Sequence, residues 1–363
     1  MRPKKIDGRI IAFQVLIFFA SINFTGKSIS GVSAQNSTEI QTIFGYDSYR
    51  EACKDAEKIV WSGMKNIVLE HDHAPAQLLR LLFHDCFIQG CDASVVLNDT
   101  KGMSNNQSTT ERQAPPNQTL KGFNYVYKIK ELLESECPGV VSCADILVLA
   151  TRNAIALTGG PYYPVATGRK DSTLSYPSEA LAEIPTPDSN ISQTLQLFAR
   201  RGFNQRETAA LLGAHNIGRI SCNFMKSRLE TPEGAIPLDF LSKMKRKCQG
   251  VINGSMSDMD ASLRAADRAP RSMQYYQGLS SSGPGGGFGN HYYRALTRGK
   301  GLLTADQELM ADEETAKAVF EYAEDAKKFR LDFAGALVKL SNLNVLVGSE
   351  GEVRKDCSRV NSY

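Results

Sequence analysis

The sequence predicts an all-α fold on three observations: apolar residues recur at helical spacing after Cys53, strand-like alternation is scarce, and capping residues stand ahead of the longest apolar runs. The elements follow in chain order. Arg2, Lys4, Lys5 and Arg9 precede an apolar run over residues 10–19 and a small-residue site, Val32-Ser33-Ala34, so residues 1–34 are expected to be a signal peptide. The run is shorter than the roughly 20 apolar residues a bilayer crossing needs, and no later stretch is apolar enough. A helix is expected over residues 75–87, with Pro75 in its first turn. Another starts near Gly122 and carries Val126, Ile129, Leu132 and Leu133 on one face before Cys137 and Pro138. Ser142 and Asp145 have capping-box spacing ahead of ILVLA, which is apolar on all sides and therefore a buried helix. Asn204 and Glu207 repeat that spacing ahead of TAALLGAHNIG, which places His215 about two turns inside its helix. Pro-, Gly- and Asn-rich loops are expected over 98–116, 175–190 and above all 250–289, whose SSSGPGGGFG reads as a flexible excursion. A final helix precedes a short tail pinned at Cys357.

Setting aside residues 1–34 removes five basic side chains and one acidic, leaving 37 basic against 38 acidic, a net charge of −1. That balance gives no reason to expect nucleic acid or an anionic membrane as partner. The remaining chain, residues 35–363, can bury a large core as one domain or two lobes. Cys53, Cys86, Cys91, Cys137, Cys143, Cys222, Cys248 and Cys357 form an even set in an exported chain, which points to four disulfides. Of the 105 pairings that eight cysteines allow, sequence alone fixes none beyond the local pair Cys86 with Cys91. Zinc is the rival, but no Cys-x-x-Cys occurs. Sequons at Asn36, Asn98, Asn106, Asn117, Asn190 and Asn253 fit an exported glycoprotein.

Imidazole chemistry must draw on His71, His73, His84, His215 and His291. Arg80 and His84 stand four apart on a helix, so both project from one face and can reach one reacting group together. On spacing alone, a structural histidine beside a solvated arginine is the commoner arrangement, by about three to one. The following loop adds weight to the reactive reading: Asp85, Asp92 and Ser94 offer hard oxygens around a tight turn at Gly90, a set suited to calcium, although a solvated acidic turn is the plainer account. A cation directly behind that helix would hold Arg80 and His84 in place.

LLRLLFHDCFIQGCDASVVL resembles the distal signature of the class III, secretory plant haem peroxidases, and AALLGAHNIG resembles their proximal haem-ligand signature. The likeness continues through ECPGVVSCADILVLATRNAIALTGGP, ATGRKDS, KGLLTADQEL and VKLSNLNVLVGSEGEVRKDC, covering nearly everything from Tyr49 to Asn361. The resemblance implies a haem peroxidase fold: two helical lobes, about 35–185 and 186–363, enclosing one haem b. It implies bridges Cys53 with Cys137, Cys86 with Cys91, Cys143 with Cys357, and Cys222 with Cys248. His84 would be the acid–base residue and Arg80 the cation that stabilises charge as the O–O bond breaks, with Asn117 hydrogen-bonding His84. If so, the Asn117 sequon should stay unglycosylated. His215 would ligate iron and Asp306 accept its second N–H. Phe83 would pack beside the haem, and Pro185 would mark where aromatic donors dock. The distal calcium would take the Asp85, Asp92 and Ser94 side chains with the Ile88 and Gly90 carbonyls, and Glu111 through water. Asp145 and Arg169 resemble the family's buried ion pair. The implied activity reduces hydrogen peroxide to water while oxidising phenolic or similar small donors by one-electron steps, in a secreted monomer of the apoplast or cell wall.

Departures from the pattern fall mainly on the proximal side. The family's second calcium site uses the residue after the proximal histidine and a later Asp/Thr/Asp set; here Asn216 replaces the usual Thr, and FGNHYY puts Gly289 where the last Asp should stand. One firmly held calcium is therefore expected, unless Asp258 or Asp260 substitutes. Lys54 and Tyr163 replace a usual Pro and Trp, leaving Trp61 as the sole tryptophan. His71-Asp72-His73 resembles a small metal clip, but its place just before Pro75 reads as an exposed connection, with metal binding at about one chance in ten; His291 reads as a surface variant, and Tyr292 and Tyr293 as core. The signal peptide and cysteines exclude an intracellular class I peroxidase, and a histidine ligand disfavours a catalase. The short stretch after Cys357 gives no reason to expect a vacuolar sorting extension. The rival from another class is a secreted haem- or calcium-binding wall protein with weak or no turnover.

Overall fold

In a computed structural model of the protein, the described residues are 44–361 except 102, 104–107, 231–235, 253–272 and 276–287. The signal peptide, the sequons at Asn36, Asn106 and Asn253, Asp258, Asp260 and most of the glycine-rich segment lie outside them. Helices dominate, as the periodicity predicts. The N-terminal part contains α1 (Ala56–Glu70), α2 (Ala74–Cys86), α3 (Phe123–Glu136) and α4 (Cys143–Leu157). The Ser142 hydroxyl accepts the Asp145 amide at 3.1 Å and so starts α4, and every residue from Cys143 to Ile155 is buried. Apolar on all sides, α4 packs against α1, α2 and α3. Helices α1 and α3 approach so closely that a Cβ on Gly63 would lie 2.3 Å from Ile129 Cδ1.

The later part carries α5 (Pro177–Glu183), α6 (Ile191–Ala199), α7 (Gln205–Leu212), α8 (Lys226–Leu229), α9 (Leu238–Ile252), α10 (His291–Leu296), α11 (Thr304–Gln307), α12 (Glu313–Glu324) and α13 (Ala326–Ser341). Helix α7 packs against α12 and α13, and α10 against α12. Among the described residues the only paired strands are Ile220–Ser221 and Met273–Tyr275, antiparallel.

Four disulfides join Cys53 to Cys137, Cys86 to Cys91, Cys143 to Cys357 and Cys222 to Cys248. Arg169 and Asp145, both 0 % exposed, pair at 2.7 Å. Arg169 also donates to Ser341 O at 2.6 and 3.0 Å, and Asp145 accepts the Tyr49 hydroxyl at 2.5 Å, so one buried pair ties α4 to the end of α13. Its charges are compensated and its remaining lone pairs and protons used, the condition under which a buried pair is tolerated.

Candidate active site

Helix α2 carries Arg80 and His84 one turn apart, with Pro75 in its first turn. His84 is buried, and its Nδ1 lies 2.7 Å from Asn117 Oδ1. Asn117 Nδ2 donates to Glu111 O at 2.8 Å, which fixes the orientation of the amide. Its Oδ1 must then accept, so His84 carries its proton on Nδ1 and presents Nε2 as a base. Burial, then the Arg80 charge, lowers the His84 pKa to about 3 despite the Asn117 bond, leaving the ring neutral near pH 7. Arg80 donates through Nη1 to Thr119 Oγ1 at 3.0 Å and through Nη2 to Pro116 O at 3.2 Å. Burial lowers it only to about 10, so it stays charged. The Asn117 sequon is thus occupied twice, its asparagine by His84 and its threonine by Arg80.

Behind α2, Asp85, Asp92, Ser94 and Glu111 are all buried. Burial, reinforced by the mutual repulsion of these acids, raises the pKa of Asp85 well above the carboxylate range and pushes Glu111 to about 8. Burial alone is the main cause for Asp92, raised to about 6. Ser94 Oγ and Glu111 Oε2 have no hydrogen-bond partner. Carboxyl groups whose charge is disfavoured by burial, together with orphaned lone pairs, collected in one dry place fit a hard cation that would restore that charge. Among the described residues, however, no group of three or more His, Cys, Asp or Glu side chains converges as a metal cluster. Gly90 has φ +144°, and a Cβ there would lie 2.6 Å from the Leu343 and Asn344 carbonyls, which explains the glycine in this turn.

On the proximal side, His215 is not inside a long helix as the sequence suggested. Helix α7 stops at Leu212, and His215 sits on a 3-10 turn, Gly213–Asn216. Tyr293 packs at this change: its hydroxyl donates to Ala209 O at 3.0 Å and lies against Gly213, where a Cβ would be 2.1 Å from it. His215 Nδ1 lies 2.7 Å from Asp306 Oδ1. Burial lowers the basicity of His215, but the charge and hydrogen bond of Asp306 outweigh it and leave the pKa raised. With Nδ1 engaged by Asp306, 49 % of the His215 side-chain surface is still open, which leaves Nε2 as the ring nitrogen that can take a ligand. A haem iron suits that donor.

Phe83 is half-buried and stacks on Phe87 and Phe198, with centroids 4.6 and 5.8 Å away. Pro185 lies half-buried between α5 and α6. His291, expected at the surface, is half-buried, and its Nε2 donates to Asn216 O at 2.8 Å. Asn216 Oδ1 is buried without a partner, and Gly289 has no side chain to offer. Thr119, Pro116 and Phe198 were not expected at the site, and Tyr292 was expected only as core, because each meets the site through a contact distant in sequence; the 39-residue separation of Thr119 from Arg80 is an example.

A family model described as peroxidase matches residues 60–325. "Putative Peroxidase 48" of Arabidopsis thaliana is 42 % identical over 335 residues, covering 86 % of this chain and 82 % of the relative. Peroxidase 47 of the same plant is 37 % identical over 313 residues, covering 86 % and 87 %. Peroxidase 4 of Vitis vinifera is 35 % identical over 353 residues, covering 97 % of each. With its helical fold, its four disulfides and the matches just described, the chain belongs to the peroxidase family, among the class III plant haem peroxidases.

Proposed function

We propose that His84 moves the proton in peroxide cleavage, that Arg80 stabilises the charge on the departing oxygen, and that Asn117 fixes the His84 tautomer. The carrying observation is the Asn117 amide, held by Glu111 so that Nε2 of His84 is left basic. Haem b, bound through His215, supplies the iron at which hydrogen peroxide is split and through which electrons reach it. His84 takes a proton from one peroxide oxygen and returns it to the other, which leaves as water. Arg80, anchored by Pro116 and Thr119, needs no reorganisation to meet the developing charge. Asp306 holds the His215 imidazole in one tautomer and makes it a stronger donor. Phenolic or similar small donors would dock at Pro185 and give up one electron each.

Calcium would be held behind α2 by Asp85, Asp92 and Ser94 with the Ile88 and Gly90 carbonyls, and by Glu111 through water. A second, proximal calcium is not expected, because Gly289 offers no side-chain carboxylate and Asn216 replaces a hydroxyl ligand with a neutral amide. The working form is then an exported monomer of the apoplast or cell wall, its lobes, about 35–185 and 186–363, enclosing the haem. Mixing the holoenzyme with stoichiometric peroxide and following the Soret band tests the catalytic reading: a rapid change in the parent and a slow one in His84→Ala are expected, and equal rates overturn it. Metal analysis after exhaustive dialysis should give one calcium per haem; two tightly held ions would refute the single-site reading.

A further inference from the structure

Asp306 does not serve His215 alone. Its Oδ1 accepts both His215 Nδ1 at 2.7 Å and the Tyr292 hydroxyl at 3.0 Å, while Oδ2 accepts the Leu303 amide at 3.1 Å. Tyr292 is fully buried, and its ring stands edge-on to the His215 imidazole with centroids 6.2 Å apart. Its neighbours hold it there. On one side His291 is bonded to the carbonyl of Asn216, and on the other Tyr293 is bonded to Ala209. Three consecutive side chains of α10 therefore grip the residue after the iron ligand, the carboxylate behind it and the helix before it.

We propose that Tyr292 is a positioning residue that sets the donor strength of His215 by sharing the Asp306 oxygen on which that histidine leans. The inference rests on the reading of His215 as the iron ligand. A carboxylate oxygen with two donors divides its negative charge between them. Removing the phenol concentrates that charge on the Nδ1–H, draws the proton toward the carboxylate and enriches the imidazole in electrons. A richer imidazole binds iron more strongly and favours the ferric over the ferrous state. Arg228, whose charge also reaches Asp306, is unaltered by such a change and cannot compensate selectively. A tyrosine that merely filled space would give no directional effect on the iron.

Tyr292→Phe holoenzyme keeps the ring and removes one oxygen. Its ferrous iron–imidazole stretching frequency in resonance Raman should rise. At the parent's midpoint potential the variant should hold about tenfold less ferrous relative to ferric iron, a shift of ~59 mV to more negative values. In an Asp306→Ala background the same replacement should shift neither quantity, since the shared acceptor is gone. An unchanged potential and frequency, or an equal shift in both backgrounds, overturns the proposal. An iron–imidazole band that survives His215→Gly would mean that the ligand assignment itself is wrong, and the proposal falls with it.

Discussion

Burial and the neighbouring Arg80 charge keep His84 unprotonated down to about pH 3, so the base function proposed for it would not depend on a small change of acidity. Replacing it by Ala should slow the peroxide step by ~10² to 10⁴, as lost acid–base catalysis does; stopped-flow rates within a few-fold of the parent would remove it from the mechanism. The same depressed pKa sets a stability window. Between the unfolded value of 6.5 and about 3, the unfolded chain binds a proton at this position that the native state refuses. Stability therefore falls as the pH drops through that window. Denaturation midpoints of the parent should decline with acid more steeply there than those of His84→Gln; parallel curves would contradict the assignment. The Arg80–His84 pairing was legible because four residues make one helical turn. Its anchorage was not, since Thr119 and Pro116 reach Arg80 only through the folded loop.

Helix α7 shows how a correctly read start can accompany a misread end. Asn204 and Glu207 form the expected capping box, a local signal. The end is packed by Tyr293 and Phe329, 80 or more positions later in the chain. Gly213 is the contact point: a Cβ there would lie 2.1 Å from the Tyr293 hydroxyl and 2.6 Å from Phe329 Cε2. Gly213→Ala should thus destabilise the protein by about 1–3 kcal/mol, the usual cost of overpacking, and weaken haem retention by displacing the turn that bears His215. Chemical denaturation and haem transfer to an acceptor protein measure the two effects; a neutral substitution would show that the turn is not clamped. Asn216 followed the same pattern. Its departure from the family was visible in sequence, whereas its bond to His291 required the packing of α10.

The whole molecule is closed by long-range links that composition announced and did not specify. Eight cysteines implied four bridges, the pairings came from the family resemblance, and the folded chain has those pairings. Cys143 to Cys357 joins residues 214 apart and anchors the tail beside the buried Asp145–Arg169 pair. Replacing both cysteines by Ala should cost about 2–5 kcal/mol, chiefly by freeing the unfolded chain; an unchanged denaturation midpoint would show that the tail is held by its other contacts alone.

If the chain is exported, the doubly occupied Asn117 sequon would make maturation a race. The acceptor motif is legible to a glycosyltransferase only while the chain is open, and it disappears once Asn117 turns to His84 and Thr119 to Arg80. In an exported chain, a sugar that arrives first would occupy the space His84 needs and leave a folded-looking but inert molecule. The speed with which this segment closes would then decide what fraction of each batch can work, independently of how stable the finished protein is.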